Sequence, residues 1–201
     1  MRILFATTNK AKIKKYADVL KDEGFDILTL EDLDIDLDVE ESGKFPLENA
    51  ILKAKTYYGA TNIITIAEDD GLFIEGISID KQPGNEVRRV NGKRLSDTEM
   101  IDYYTDLIEK IGGKAKARWI RGLAIYDGIN IYTHEKESER VFVSSPSKVL
   151  NEGYPLDSIT YFEEYGMYRS ELSNEQINDL SKNDDGIVSF IKDTLFKLDR
   201  E

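Results

Sequence analysis

Cysteine is absent from the chain, which excludes a disulfide framework, a thiolate metal centre and a cysteine nucleophile. Histidine occurs once, as His134, so a histidine-rich metal site is excluded and any Ser–His–Asp triad would need that residue. Nothing near His134 favours one, and it reads as a surface residue of a strand. No stretch approaches the roughly 18–20 apolar residues of a membrane span. The run Met1–Ala6 is too short for a secretory signal before the polar Thr7-Thr8-Asn9-Lys10. Positive charge is in deficit, with 27 basic against 39 acidic residues and a net charge of −12. Such a surface repels phosphate backbones at long range. These absences predict a soluble cytoplasmic protein with neither a nucleic-acid polymer nor a membrane as partner. A small anion stays admissible wherever lysines, backbone N–H groups or a metal gather locally.

What is present suffices for a core: 40% of the 201 residues are hydrophobic and 10% aromatic, and the length predicts one domain over 1–201. Arg2–Ala6 reads as a buried strand. Ile13, Tyr16, Ala17 and Leu20 then recur at helical spacing up to Gly24. Phe25–Leu30 reads as a second strand and Glu31–Glu41 as an exposed connection. Pro46 opens a helix with an apolar stripe at Ala50, Ile51, Ala54 and Tyr57, ending at Gly59. Asn62–Ala67 reads as a strand that ends in an acidic turn, Glu68-Asp69-Asp70-Gly71, with Leu72–Ile74 as the return strand. Ser96–Glu99 and Ser173–Gln176 have the form of capping boxes, and Ile187–Leu198 closes the chain as an amphipathic helix. Between them Trp119–Tyr126, an Asp127-Gly128 turn, Ile129–Thr133 and Arg140–Val143 read as β structure. The pattern is α/β, with an antiparallel lobe in the second half.

Three polar segments carry possible chemistry. Thr7-Thr8-Asn9-Lys10-Ala11-Lys12 lies between strand and helix, where unpaired N–H groups and a partial positive charge bind phosphate; an ordinary capped helix with solvated lysines explains it as well. Asn49 and Lys53, four apart, share one helix face, in a helix that otherwise reads as a surface element. Three successive carboxylates at Glu68, Asp69 and Asp70 repel one another unless a cation or basic partners neutralise them. Such hard oxygen ligands suit Mg²⁺, and Glu41 is a further candidate ligand; a solvated acidic turn is the alternative.

Taken in order, these segments resemble the inosine triphosphate pyrophosphatase family, also called noncanonical purine nucleoside triphosphatases. Its Thr/Ser-x-Asn-x-x-Lys is matched by Thr7, Asn9 and Lys12. Its Glu-Thr-Gly-like loop and Glu-Asn-Ala-x-x-Lys-Ala are matched by Glu41-Ser42-Gly43 and Glu48-Asn49-Ala50-Ile51-Leu52-Lys53-Ala54. Its Ala-Asp-Asp-Ser-Gly-Leu appears as Ala67-Glu68-Asp69-Asp70-Gly71-Leu72, and its Pro-Gly…Ala-Arg-Tyr-x-Gly is reduced to Pro83-Gly84…Arg88-Arg89-Val90-Asn91-Gly92. The second half departs: the family's Phe-Gly-Tyr/Trp-Asp-Pro box becomes Glu152-Gly153-Tyr154-Pro155-Leu156-Asp157. Its late Ser-His-Arg becomes Ser181-Lys182-Asn183, followed by Asp184-Asp185-Gly186.

The resemblance implies an elongated mixed β-sheet with flanking helices, two lobes around a central cleft, and a homodimer. It implies hydrolysis of a nucleoside triphosphate to monophosphate and pyrophosphate, with Asp69 as general base and Mg²⁺ or Mn²⁺ held by Glu41, Glu68 and Asp69. The substrate residues it implies are Thr7, Thr8, Asn9, Lys10, Lys12, Lys53, Asp70, Gly71 and Arg89 for the phosphates. Gly153, Tyr154, Asp157 and Lys182 belong to the base. The altered second half leaves two alternatives, a relative with changed base specificity or a nucleotide-binding protein without catalysis.

Overall fold

The computed structural model describes residues 1–182 and 186–200; Asn183, Asp184 and Asp185 of the late motif lie outside the described residues. A five-stranded mixed sheet runs in the order β2-β1-β3-β6-β7. It is formed by β1 (Arg2–Phe5), β2 (Asp26–Thr29), β3 (Ile64–Ile74), β6 (Lys114–Tyr126) and β7 (Ile131–Val143). β1 pairs in parallel with β2 and with β3. β6 and β7 are neighbours joined by a short turn at Asp127–Asn130, which only antiparallel strands permit. The helices are α1 (Lys10–Asp22), α2 (Pro46–Thr61), α3 (Asp97–Lys110), α4 (Asn174–Lys182) and α5 (Gly186–Leu198). Two small ribbons, β4 (Arg89–Val90) with β5 (Lys93–Arg94) and β8 (Tyr161–Phe162) with β9 (Met167–Tyr168), complete the elements.

The chain divides into two compact units. The first comprises Met1–Asp70, Arg121–Lys136 and Asp184–Glu201, and strand alternation organises it. On β1, Ile3 and Phe5 join a core with Tyr16, Ala17 and Leu20 of α1 and Ile187, Ile191 and Leu195 of α5. Leu4 and Ala6 face the other way, onto Ala50, Ala54 and Tyr57 of α2. β3 and β6 obey the same parity. Ile66, Leu123 and Ile125 join the α1 side, Ala67 and Ala124 the α2 side. Each face of the sheet is thus covered by helices, which is why these strands read as continuous apolar runs.

The second unit comprises Gly71–Ile120 and Glu137–Asn183. Its core packs Leu72, Ile74, Ala117 and Phe142 against Met100, Ile101, Tyr104 and Ile108 of α3, with Leu156 and Ile159. The capping box at Ser96 and Glu99 starts α3, and Ser173 with Gln176 starts α4 in the same manner.

Three expectations need correction. β3 is one unbroken strand of 11 residues, so Glu68, Asp69 and Asp70 are not in a turn and Leu72–Ile74 does not return. The carboxylates can stay in the strand because each face supplies them with a cation. β6 and β7 are 13 residues each, so Ile129–Thr133 and Arg140–Val143 are not two separate strands; polar outward residues had disguised the alternation between them. α2 runs through Gly59 and stops at Asn62, which adopts the left-handed conformation with φ 54°.

Candidate active site

The segment Glu68–Asp70 lies where β3 outruns its neighbour. β1 ends at Phe5, whose partner is Ile66, and the chain there turns into Thr7-Thr8-Asn9. The position past the carboxyl end of β1 is a place where α/β sheets bind ligands. Thr7 Oγ1 accepts a hydrogen bond from the Asn9 N–H at 3.1 Å. Asn9 Oδ1 accepts from the Lys12 N–H at 3.4 Å, so Asn9 caps α1. Thr7 and Thr8 line a cavity of about 230 Å³ with Thr29, Leu30 and Glu31; none of the three β3 carboxylates enters it.

Alternation sends the three carboxylates to opposite faces of the sheet. Glu68 and Asp70 face α1. Lys12 Nζ lies 2.7 Å from Asp70 Oδ2 and 3.2 Å from Glu68 Oε1. Arg121 Nε, from β6, lies 2.9 Å from Asp70 Oδ1 and 3.3 Å from Glu68 Oε1. Two negative and two positive side chains thus close a balanced ring, and Glu68 is 1% exposed within it. Burial disfavours the charge on Lys12, but Asp70 and Glu68 outweigh it and hold its proton above the ordinary lysine range. Burial likewise opposes ionisation of Asp70, and Lys12 and Arg121 reverse that, holding its carboxyl below the ordinary range. Tyr16 stands beside this ring, its hydroxyl pushed up by burial and then by the Glu68 charge.

Asp69 faces α2. Lys53 Nζ donates to Asp69 Oδ1 at 2.8 Å and lies 2.8 Å from Glu41 Oε1. Asn49, fully buried, donates from Nδ2 to Asp69 Oδ2 at 3.1 Å, while its Oδ1 accepts the Gly43 N–H at 2.7 Å. One amide therefore orients Asp69 and pins the loop that carries Glu41. Burial pushes the Asp69 carboxyl up, Lys53 pulls against it, and Glu41 adds to the rise. The i, i+4 pair on α2, which its spacing put on one face, reaches a single carboxylate.

That first turn of α2 sits unusually close to β6. A Cβ on Gly122 would stand 2.3 Å from the Leu47 nitrogen and 2.7 Å from the Pro46 carbonyl carbon. Only glycine admits this approach, and it sets the height of Asn49 and Lys53 over β3.

The candidate metal ligands divide along the same lines. Glu41 and Asp69 converge on one cation position, which the Lys53 ammonium holds, whereas Glu68 lies on the opposite face and cannot share an ion with them. Among the described residues, no three of His, Cys, Asp and Glu gather as a metal site. Mg²⁺ needs no such cage, since it usually takes one or two carboxylates and completes its shell with water and phosphate oxygens. The Glu41–Asp69 pair fits that requirement.

Apart from Lys10, the remaining expected residues belong to the second unit. Gly71 continues β3, and Arg89 is exposed on β4. The Gly153 N–H donates to Asp97 Oδ2 at 3.0 Å with φ 80°. Tyr154 is 43% exposed. Asp157 accepts from Asn151 Nδ2 at 3.0 Å and lies 3.2 Å from Arg169 Nε. Lys10 opens α1 and Lys182 ends α4; both side chains lie outside the described atoms. Sequence reasoning missed Arg121 as a site residue. Its signal was a lone charge inside the apolar run Trp119-Ile120-Arg121-Gly122-Leu123-Ala124-Ile125.

The sequence model of the Ham1 family matches residues 3–192. A protein of Aquifex aeolicus (strain VF5) named dITP/XTP pyrophosphatase is 31% identical over 190 residues, covering 90% of this chain and 90% of that one. Among solved structures, the Staphylococcus aureus Ham1 protein superposes with a TM-score of 0.73 at 24% identity, covering 88% of each chain. A nucleoside-triphosphatase / dITP/XTP pyrophosphatase from Mycobacterium abscessus gives 0.75 at 21% identity, covering 94% of this chain and 98% of its own. At those identities the structural likeness speaks for the fold.

Proposed function

The chain belongs to the Ham1 family, and from that premise we propose that it hydrolyses noncanonical purine nucleoside triphosphates to the monophosphate and pyrophosphate. The observation that carries the reading is Asp69. It is a buried carboxylate with a raised pKa, oriented by Asn49 and sharing Lys53 with Glu41, where β3 runs past the end of β1. Water adds across the α–β anhydride bond. Asp69 takes the proton of the attacking water, a role its raised pKa favours. Lys53 from the α2 side and Lys12 from the α1 side hold phosphate oxygens, and the charge on the departing pyrophosphate is stabilised by the same ammonium groups.

Glu41 and Asp69 are the residues that would hold Mg²⁺ or Mn²⁺. Such an ion supplies neutralisation of phosphate charge and a lowered pKa for water. Lys53 Nζ, 2.8 Å from each of these carboxylates, would then be left to bind the substrate phosphates. The family resemblance further supports a homodimer and a cytoplasmic setting; no helix among the described residues is long and apolar enough to cross a membrane.

The test is pyrophosphate release from deoxyinosine, xanthosine, adenosine and guanosine triphosphates with Mg²⁺. Wild-type protein turns over the first two, and Asp69→Asn loses that turnover while keeping its circular dichroism spectrum and unfolding midpoint. Equal turnover in Asp69→Asn removes Asp69 from the reaction. Nucleotide binding without turnover in the wild type favours the non-catalytic alternative.

A further inference from the structure

We propose that Arg121 is a substrate ligand, binding the polyphosphate with the outer edge of its guanidinium beside Lys12. The assignment rests on the triphosphate reading above and adds a residue to it. Arg121 is anchored through one nitrogen: Nε donates to Asp70 Oδ1 at 2.9 Å and approaches Glu68 Oε1 at 3.3 Å. Its two terminal amino groups donate no hydrogen bond among the described residues, the guanidinium's one such bond being that of Nε. Neither is among the buried polar atoms that lack a partner, and the side chain is 30% exposed, so these groups reach solvent. A residue serving only to neutralise two carboxylates would turn its fork onto them. This one spends Nε on them and directs its remaining donors outward, the arrangement that bidentate oxyanion recognition requires.

Its neighbour is the lysine already directed at phosphate. Lys12 and Arg121 grip opposite oxygens of the same Asp70 carboxylate, so the two cations flank one point. The parity of β6 puts Arg121 on the α1 face with Lys12, while Gly122, next along the strand, faces α2. The exchange of charge also balances. When a phosphate draws the Lys12 ammonium from Asp70, Glu68 and Asp70 still have the Nε of a guanidinium that cannot lose its proton. The same residue then secures the buried carboxylates through Nε and meets the incoming anion with its terminal groups.

Inorganic tripolyphosphate is the probe, titrated calorimetrically into the full chain with Mg²⁺, alongside the KM for deoxyinosine triphosphate. Arg121→Lys keeps the charge opposite Glu68 and Asp70 but removes the fork. The doubly substituted Arg121→Gln, Asp70→Asn protein removes one charge of each sign and keeps the ring neutral. Both are expected to bind tripolyphosphate about 10- to 100-fold more weakly, the size of one or two charge-assisted hydrogen bonds, with unfolding midpoints without ligand near that of the wild type. Unchanged affinity and KM in either folded variant overturns the assignment and leaves Arg121 as a partner of carboxylates alone, with the triphosphate reading intact. A wild-type chain that neither binds tripolyphosphate nor hydrolyses a triphosphate overturns the triphosphate reading, and the assignment with it.

Discussion

Asn49 has no solvent exposure, and each end of its amide is committed: Nδ2 to Asp69 and Oδ1 to the Gly43 N–H. Removing it takes a hydrogen bond from the buried Asp69 carboxylate and another from the part-buried Gly43 N–H, and an unsatisfied buried group costs roughly 1–3 kcal/mol. Asn49→Ala is therefore expected to lose about that much stability in urea denaturation. Turnover should fall further than substrate binding, because Asp69 loses the bond that aims it while Lys53 remains. Asn49→Asp is the sharper comparison, since it keeps the size and the acceptor for Gly43 but sets a second carboxylate against Asp69. If kcat survives in both variants, the amide does not orient the base.

At the scale of elements, the contact between α2 and β6 sets the α2 side of the site. Gly122→Ala places a methyl group 2.3 Å from the Leu47 nitrogen, against main-chain atoms that cannot rotate aside, so the first turn of α2 must lift. Overpacking of this kind costs about 1–3 kcal/mol, and the displacement carries Asn49 and Lys53 with it. We expect a lowered urea midpoint and a lowered kcat. Gly59 is the control on the same helix. A Cβ there meets nothing within 4 Å, and the residue lies inside α2, so Gly59→Ala is expected to stabilise by roughly 0.4–1 kcal/mol with kcat unchanged. Destabilisation by Gly59→Ala, or none by Gly122→Ala, would contradict this account of the helix.

Across the whole molecule, acid stability and base preference are the two properties open to test. In the second unit, burial disfavours the Asp97 carboxylate, but Arg88 and the Gly153 N–H overcome it and hold the pKa below its ordinary 3.8. A depressed folded-state pKa means stability that is present above the unfolded value and disappears as pH falls through the folded one. The unfolding midpoint should therefore drop on acidification below about pH 4, and Asp97→Asn should show a smaller drop; parallel curves would remove Asp97 from the acid response. We propose that base recognition also belongs to this unit. Asp157, implied for base recognition, already has Asn151 and Arg169 as partners, and the late motif lacks both histidine and arginine. A site that hydrogen-bonds a base group rejects analogues lacking it by about 10⁴-fold or more. With those groups altered, we expect weaker preference for inosine triphosphate over ATP than that, read as the ratio of kcat/KM; a ratio at that level would show the pocket rebuilt by other residues.

The sequence by itself determined most of the helices and the apolar strands β1 and β2, because helix caps, glycines and short apolar runs are local properties. It also carried the ordered signatures of the family, and with Asn49 and Lys53 four apart it put both on one helix face; that this face meets Asp69 came from the tertiary structure. Only the tertiary structure decided whether β3 stops or continues at Glu68, since a run of carboxylates is tolerable in a strand when cations meet both faces, and those cations come from elsewhere. Lys53 is 16 residues from Asp69, Asn49 is 20 away, and Arg121 is 51 from Asp70. Once β3 is seen to continue, alternation tells which carboxylates share a side; which side has which cation depended on α1, α2 and β6 packing around one strand. Alternation thereby separates Glu68 from Glu41 and Asp69, dividing three adjacent acids between a neutral ring and a candidate base.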